Sequence, residues 1–210
     1  MKPRFYDLDF LKEELEQLPH LHRVAFAACI CERMLPMYNK FSQIENWGQP
    51  SVLRETLDEV WLILQGKPID SSKINRLMKY YDREDVFPNI EDYEFCNLEY
   101  LYEAHFTASA LCCILDGLLK QNLEYIMAVV KEARFYTIEG FISERDNLIE
   151  VGNLKYEMEL IANDPLAKQE LTKEMEDLQK LKNTDKLEPE LLEWLRTTSS
   201  GKSLIDSSPT

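Results

Sequence analysis

The run Val24-Ala25-Phe26-Ala27-Ala28-Cys29-Ile30-Cys31 constrains this chain more than any other stretch, because every residue in it is apolar. Wound into a helix it is greasy on all faces, and such a helix has to be surrounded by others rather than laid on a surface. Glu32 and Arg33 follow directly. Pro36 then lacks the amide that a helix interior needs and clashes with the carbonyl of Glu32, at a cost of about 3 kcal/mol. The pattern predicts a buried central helix over about 20–35 that ends or kinks between Glu32 and Pro36.

The flanking segments repeat apolar residues at helical spacing. Leu8, Leu11, Leu15 and Leu18 stand behind Asp7 as a cap, predicting a first helix. Asn46-Trp47-Gly48-Gln49-Pro50 is a turn, after which Ser51 caps a helix with Leu53, Leu57, Val60, Trp61 and Leu64 on one face. Ser71 or Ser72 opens a shorter helix with Ile74, Leu77, Met78 and Tyr81, and Asp82–Glu94 reads as an acidic connecting loop. A long helix is predicted from about Asn97 to Leu119, and another from Asn122 toward Phe141 with Gly140 as a weak point. Leu154, Met158 and Ile161 mark a short helix, and Asn163-Asp164-Pro165 starts a longer one.

That longer helix buries Leu171, Met175 and Leu178 on a narrow stripe. Its charged residues Lys168, Glu170, Lys173, Glu174, Glu176, Asp177 and Lys180 are expected to leave it at the edge of the bundle. A last turn or two runs to Arg196, and 197–210, rich in Ser, Thr, Gly and Pro, is expected to be a disordered tail. No segment alternates with the two-residue period of a strand. The fold class is all-α, a single-domain bundle over 1–196 of about seven helices around the central one.

Acidic residues outnumber basic ones by 38 to 24, for a formal charge of −14. Such a surface repels a phosphate backbone, which argues against nucleic acid and for a basic partner. The N-terminus meets Asp7 and Asp9 before any apolar run, and nothing reaches the roughly 18 apolar residues of a spanning helix, so a cytoplasmic protein without membrane contact is expected. Five cysteines, an odd number set largely in apolar runs, suit small buried hydrophobes in a reducing compartment.

No constellation of residues forces a chemistry. Cys29 and Cys31 point about 200° apart on a helix and cannot chelate one ion together. The three histidines form no helical pair for a bundle metal site. Gly201-Lys202-Ser203 lacks the earlier glycine, strand and helix of a phosphate-binding loop. No catalytic residue, metal ligand or cofactor is therefore assigned. The candidate binding residues are Glu32, Arg33, Tyr38 and His105. Charges following so apolar a run must either reach solvent or be paired inside, and Arg33 can grip a carboxylate with its forked donors. The candidate partner surface is the acidic stretch with Asp82, Glu84, Asp85, Glu91, Asp92 and Glu94.

Ala28-Cys29-Ile30-Cys31-Glu32-Arg33-Met34-Leu35-Pro36-Met37-Tyr38 resembles the signature of the YjaG-like family of bacterial proteins of unknown function. Leu53–Leu64, with its tryptophan, and Asn163-Asp164-Pro165 with the helix behind it extend the likeness to about Leu18–Lys182. The resemblance implies an all-helical single domain, admits a homodimer and carries over no catalytic residue. The leading expectation is a non-enzymatic protein-binding module, in its concrete form an immunity- or antitoxin-like protein covering a basic partner. The alternative is a small-molecule or metal-dependent enzyme with a pocket beside the central helix.

Overall fold

Burial on every side carries the central helix further than its sequence pattern predicts. In the computed structural model, which describes residues 4–83, 85–90, 99–148, 153–201 and 203–205, that helix is α2 (His20–Glu45) and passes through Pro36. The predicted stop at Glu32–Pro36 is overturned by the residues beyond it. Met37, Tyr38 and Phe41 are all buried. Burying each is worth about 1.5–3 kcal/mol, more in sum than the roughly 3 kcal/mol cost of an interior proline. Neighbouring chain also serves carbonyls next to the disturbed turn. The Leu204 amide donates to Arg33 O at 3.2 Å, and Thr107 Oγ1 donates to Met34 O at 3.3 Å.

Around α2 stand α1 (Leu8–Glu16), α3 (Pro50–Leu64), α4 (Ser71–Tyr80), α5 (Leu101–Lys120), α6 (Leu123–Lys131), α7 (Gly140–Arg145), α8 (Leu154–Asn163), α9 (Pro165–Lys182) and α10 (Pro189–Ser199). A π-helical stretch, Glu132–Glu139, joins α6 to α7 without a break, so the described residues form nine separate rods where about seven were expected. They contain no strand, and no helix among them is long and apolar enough to cross a membrane. α5 lies along α2, with α3, α6, α9 and α10 closing its other sides.

Most boundaries follow local chemistry. Asp7 accepts from the Phe10 amide, Asn122 from Glu124, Asn153 from Tyr156 and Asp164 from Leu166. Each satisfies an amide that the first helical turn leaves without a partner. Two starts differ from prediction. Pro50 opens α3 as its first residue, which displaces Ser51 as cap, because proline has no amide to lose there. Asp70 caps α4, accepting from Ser72 and Lys73. The predicted start of α5 at Asn97 lies outside the described residues, within which the helix begins at Leu101.

The expectation of a disordered tail over 197–210 is also overturned where that stretch is described, while 206–210 lie outside the described residues. α10 runs on to Ser199, and Leu204 and Ile205 are buried against the bundle. The apolar pair Leu204-Ile205 outweighs the polar residues around it, since each fully buried side chain is worth about 1.5–3 kcal/mol.

Candidate functional site

One charged face of α9 points inward, while Lys168, Glu176 and Lys180 stay exposed. Glu170, Lys173, Glu174 and Asp177 recur at three- and four-residue spacing and are all buried, which overturns their expected place in solvent. Arg33 on α2 is the reason. Its Nε and Nη2 donate to the two oxygens of Glu170 at 2.7 and 2.6 Å. Its Nη1 is shared among Cys29 O, Asp177 Oδ2 and Ser199 Oγ at 3.0–3.1 Å. Lys173 pairs with the other oxygen of Asp177. One helical turn away, Arg134 of the π-helical stretch grips Glu174 with the same fork and donates to Phe5 O at 2.8 Å. Burial alone would lower the pKa of Arg33, but Glu170 and Asp177 outweigh it and hold the guanidinium charged.

Glu32 turns away from Arg33, as neighbours about 100° apart on a helix must. It accepts both forks of Arg54 at 2.8 and 2.9 Å and the Trp61 indole at 2.7 Å, facing α3. Tyr38 and His105 face a third direction and hold the loop after α4. The Tyr38 hydroxyl donates to Val86 O at 2.7 Å and accepts from the Gln49 amide at 3.2 Å. Burial pushes that hydroxyl up to about 12, so it stays a donor at neutral pH. His105 Nδ1 meets Pro88 O at 2.7 Å; a carbonyl only accepts, so this nitrogen carries the proton. The four candidate binding residues thus serve three separate contacts, and the structure does not gather them around one ligand.

Of the candidate acidic surface, Asp82 is exposed and Asp85 is already held by Arg83 at 2.6 and 2.8 Å. Glu84, Glu91, Asp92 and Glu94 lie outside the described residues. Among the described residues, no three His, Cys, Asp or Glu side chains are grouped to hold a metal ion.

An open pocket of about 550 Å³ lies where the start of α5 meets the π-helical stretch and α7. Tyr102, Tyr136 and Phe141 supply aromatic walls, and Glu103 and Glu144 supply carboxylates. Tyr102 and Tyr136 are 52% and 51% exposed, and Tyr136 is braced by stacking on Phe106 with ring centroids 4.9 Å apart. Glu103 differs from every other buried acid described above. It is 8% exposed, its own backbone amide donates to its carboxylate, and no arginine fork grips it among the described residues. Burial pushes its pKa up, Glu144 adds to the rise and Lys40 opposes it. Gly140 also lines the pocket, and a Cβ there would meet nothing within 4 Å, so the missing side chain leaves the space open.

The profile of the family described as "Protein of unknown function (DUF416)" matches residues 10–204. The chain belongs to the DUF416 family. Among similar proteins, "Uncharacterized protein YjaG" of Escherichia coli (strain K12) is 30% identical over 117 residues, 56% of this chain and 57% of that protein. The protein of the same description from Salmonella typhimurium (strain LT2) is 30% identical over 118 residues, with the same coverage. The chain thus spans little more than half the length of the curated relatives it matches. The fold is similar to the crystal structure of a DUF416 family protein from Shewanella baltica OS155, with a TM-score of 0.72 at 18% identity, covering 91% of this chain and 96% of that one. The predicted YjaG-like membership and the all-helical fold both hold.

Sequence reasoning about this DUF416 chain did not single out Tyr136, Phe141 or Glu144 as site residues. The signal available was the glycine inside an apolar helical run at Gly140, read only as a weak point. The π-helical stretch also breaks the 3.6-residue period on which helix faces are assigned, and such stretches recur at functional sites. Its successive residues Arg134, Phe135 and Tyr136 reach α9, the ring of Tyr6 and the pocket, respectively.

Proposed function

We propose that this DUF416 protein is a non-catalytic binding module that engages a basic segment of a partner protein, with the Tyr102–Glu103–Tyr136–Phe141–Glu144 pocket as the contact. One observation carries the reading: Glu103, 8% exposed and held by no arginine fork among the described residues, lines an open pocket beside Glu144 and two half-exposed tyrosines. An acid kept charged in such a place costs stability unless something cationic arrives to meet it. Aromatic faces around a carboxylate are the chemistry that recognises a cation. The formal charge of −14 supports the same partner, because an acidic surface steers a basic one toward encounter. An immunity- or antitoxin-like protein that covers a basic partner is the concrete form of this function.

The test is fluorescence anisotropy with a labelled basic peptide and its acidic counterpart, at low and high salt. Saturable binding of the basic peptide, weakened by salt and abolished by Gly140→Leu, is expected. Equal binding of the two peptides, or unchanged affinity in the Gly140→Leu protein, overturns the proposal.

A further inference from the structure

We infer that the pocket between α5, the π-helical stretch and α7 is an arginine subsite, selecting a guanidinium of the partner over the ammonium of a lysine. The inference rests on the binding-module reading and specifies which cation that module takes.

Three features of the pocket favour the planar cation. An ammonium is a compact, strongly hydrated charge, and pairing it with a glutamate only 8% exposed means stripping much of its water. A guanidinium is more weakly hydrated and loses less on entry. The walls are aromatic, and a flat cation lies against the Tyr102, Tyr136 or Phe141 ring in both cation–π and stacking geometry. Glu103 and Glu144 are close enough that the charge of one raises the pKa of the other. Five donors in a fixed fork can serve two acids at once, which three donors on one nitrogen do less well.

The molecule's own interior gives the precedent. Each forked grip on a buried glutamate described above is made by arginine: Arg33 on Glu170, Arg134 on Glu174 and Arg54 on Glu32. Glu59 is instead shared by Lys67 and Lys73, whose side chains are 38% and 26% exposed, against 35% for Arg54, 4% for Arg33 and 1% for Arg134. Glu103 likewise meets no arginine fork among the described residues, and it lines a pocket with room for one. The Lys40 ammonium lies over the Tyr100 ring at 4.3 Å and acts on Glu103 through its charge.

The experiment titrates the full chain with two labelled peptides that differ only in carrying arginine or lysine at the basic positions. The arginine peptide should bind about tenfold more tightly, the size of effect that a stacked, forked contact supplies. Glu103→Gln should bring the two peptides close to parity while leaving the thermal midpoint unchanged or higher, a pairing of outcomes that a purely structural role does not produce. Gly140→Leu, which fills the pocket and sits on a helix that tolerates it, should remove binding of both peptides. Equal, salt-sensitive binding of the two peptides by the wild-type chain overturns arginine selection and leaves the binding module standing. Failure of both peptides to bind overturns the module and the inference together. Arginine preference that survives Glu103→Gln intact also overturns the assignment of the site.

Discussion

Replacing Arg33 by methionine tests whether α9 is held by a buried ionic layer. The substitution keeps an unbranched stem out to the position of Nε and removes all five hydrogen bonds made by the guanidinium. Asp177 retains Lys173, but Glu170, 3% exposed, loses both of its donors. Breaking a buried pair by deleting one partner costs about 3–5 kcal/mol, because the charge left behind has neither water nor a counter-ion. For a chain of this size each kcal/mol is worth about 2–4 °C, so the midpoint should fall by about 6–20 °C. Urea and thermal unfolding followed by far-UV circular dichroism measure both quantities. The double variant Arg33→Met with Glu170→Met should recover most of the loss, since exchanging a buried pair for apolar side chains of similar volume is often neutral or better. A single variant within about 1 kcal/mol of wild type, or a double variant worse than the single, would refute the buried layer, for then the acid left behind must still reach water.

Further outcomes follow from the same contacts. Leu204→Ala should cost about 2–5 kcal/mol in urea unfolding, the range for truncating a buried leucine, whereas a solvated tail would show no change. Gly48→Ala should destabilise the turn before α3, because the residue sits at φ +90° and a Cβ would come within 2.7 Å of the Tyr38 hydroxyl; thermal unfolding beside a Tyr38→Phe control reads the effect. Glu103 has a folded pKa above its unfolded value, so its charged form opposes folding once the pH exceeds the unfolded carboxylate range near about 4. The stability gained by Glu103→Gln should therefore be largest at neutral pH and shrink as the pH falls through the folded pKa toward that range. A gain that grows on acidification contradicts the assigned direction.

The candidate site was the least legible part of the chain. Tyr102, Glu103 and Tyr136 carry no motif, and the π-helical stretch puts Tyr136 on a face that a regular period does not assign. Glu32 and Arg33 were recognisable as charges needing partners, but a single sequence does not name residues 22 to 144 positions away. The acids that meet Arg33 looked like a solvated face because inward and outward charge are written with the same letters.

What the sequence determined by itself is local: the all-helical class, the buried centre of α2, and the starts at Asp7, Asn122 and Asp164. Those depend on apolar spacing and on side-chain oxygens that reach amides two or three residues away. What only the tertiary structure decided is where α2 stops, which face of α9 is buried, and that Leu204 docks beside the proline turn. Each is a contest between a local preference of a few kcal/mol and burial or ion pairing of similar size, and its sign depends on distant chain that no short window contains.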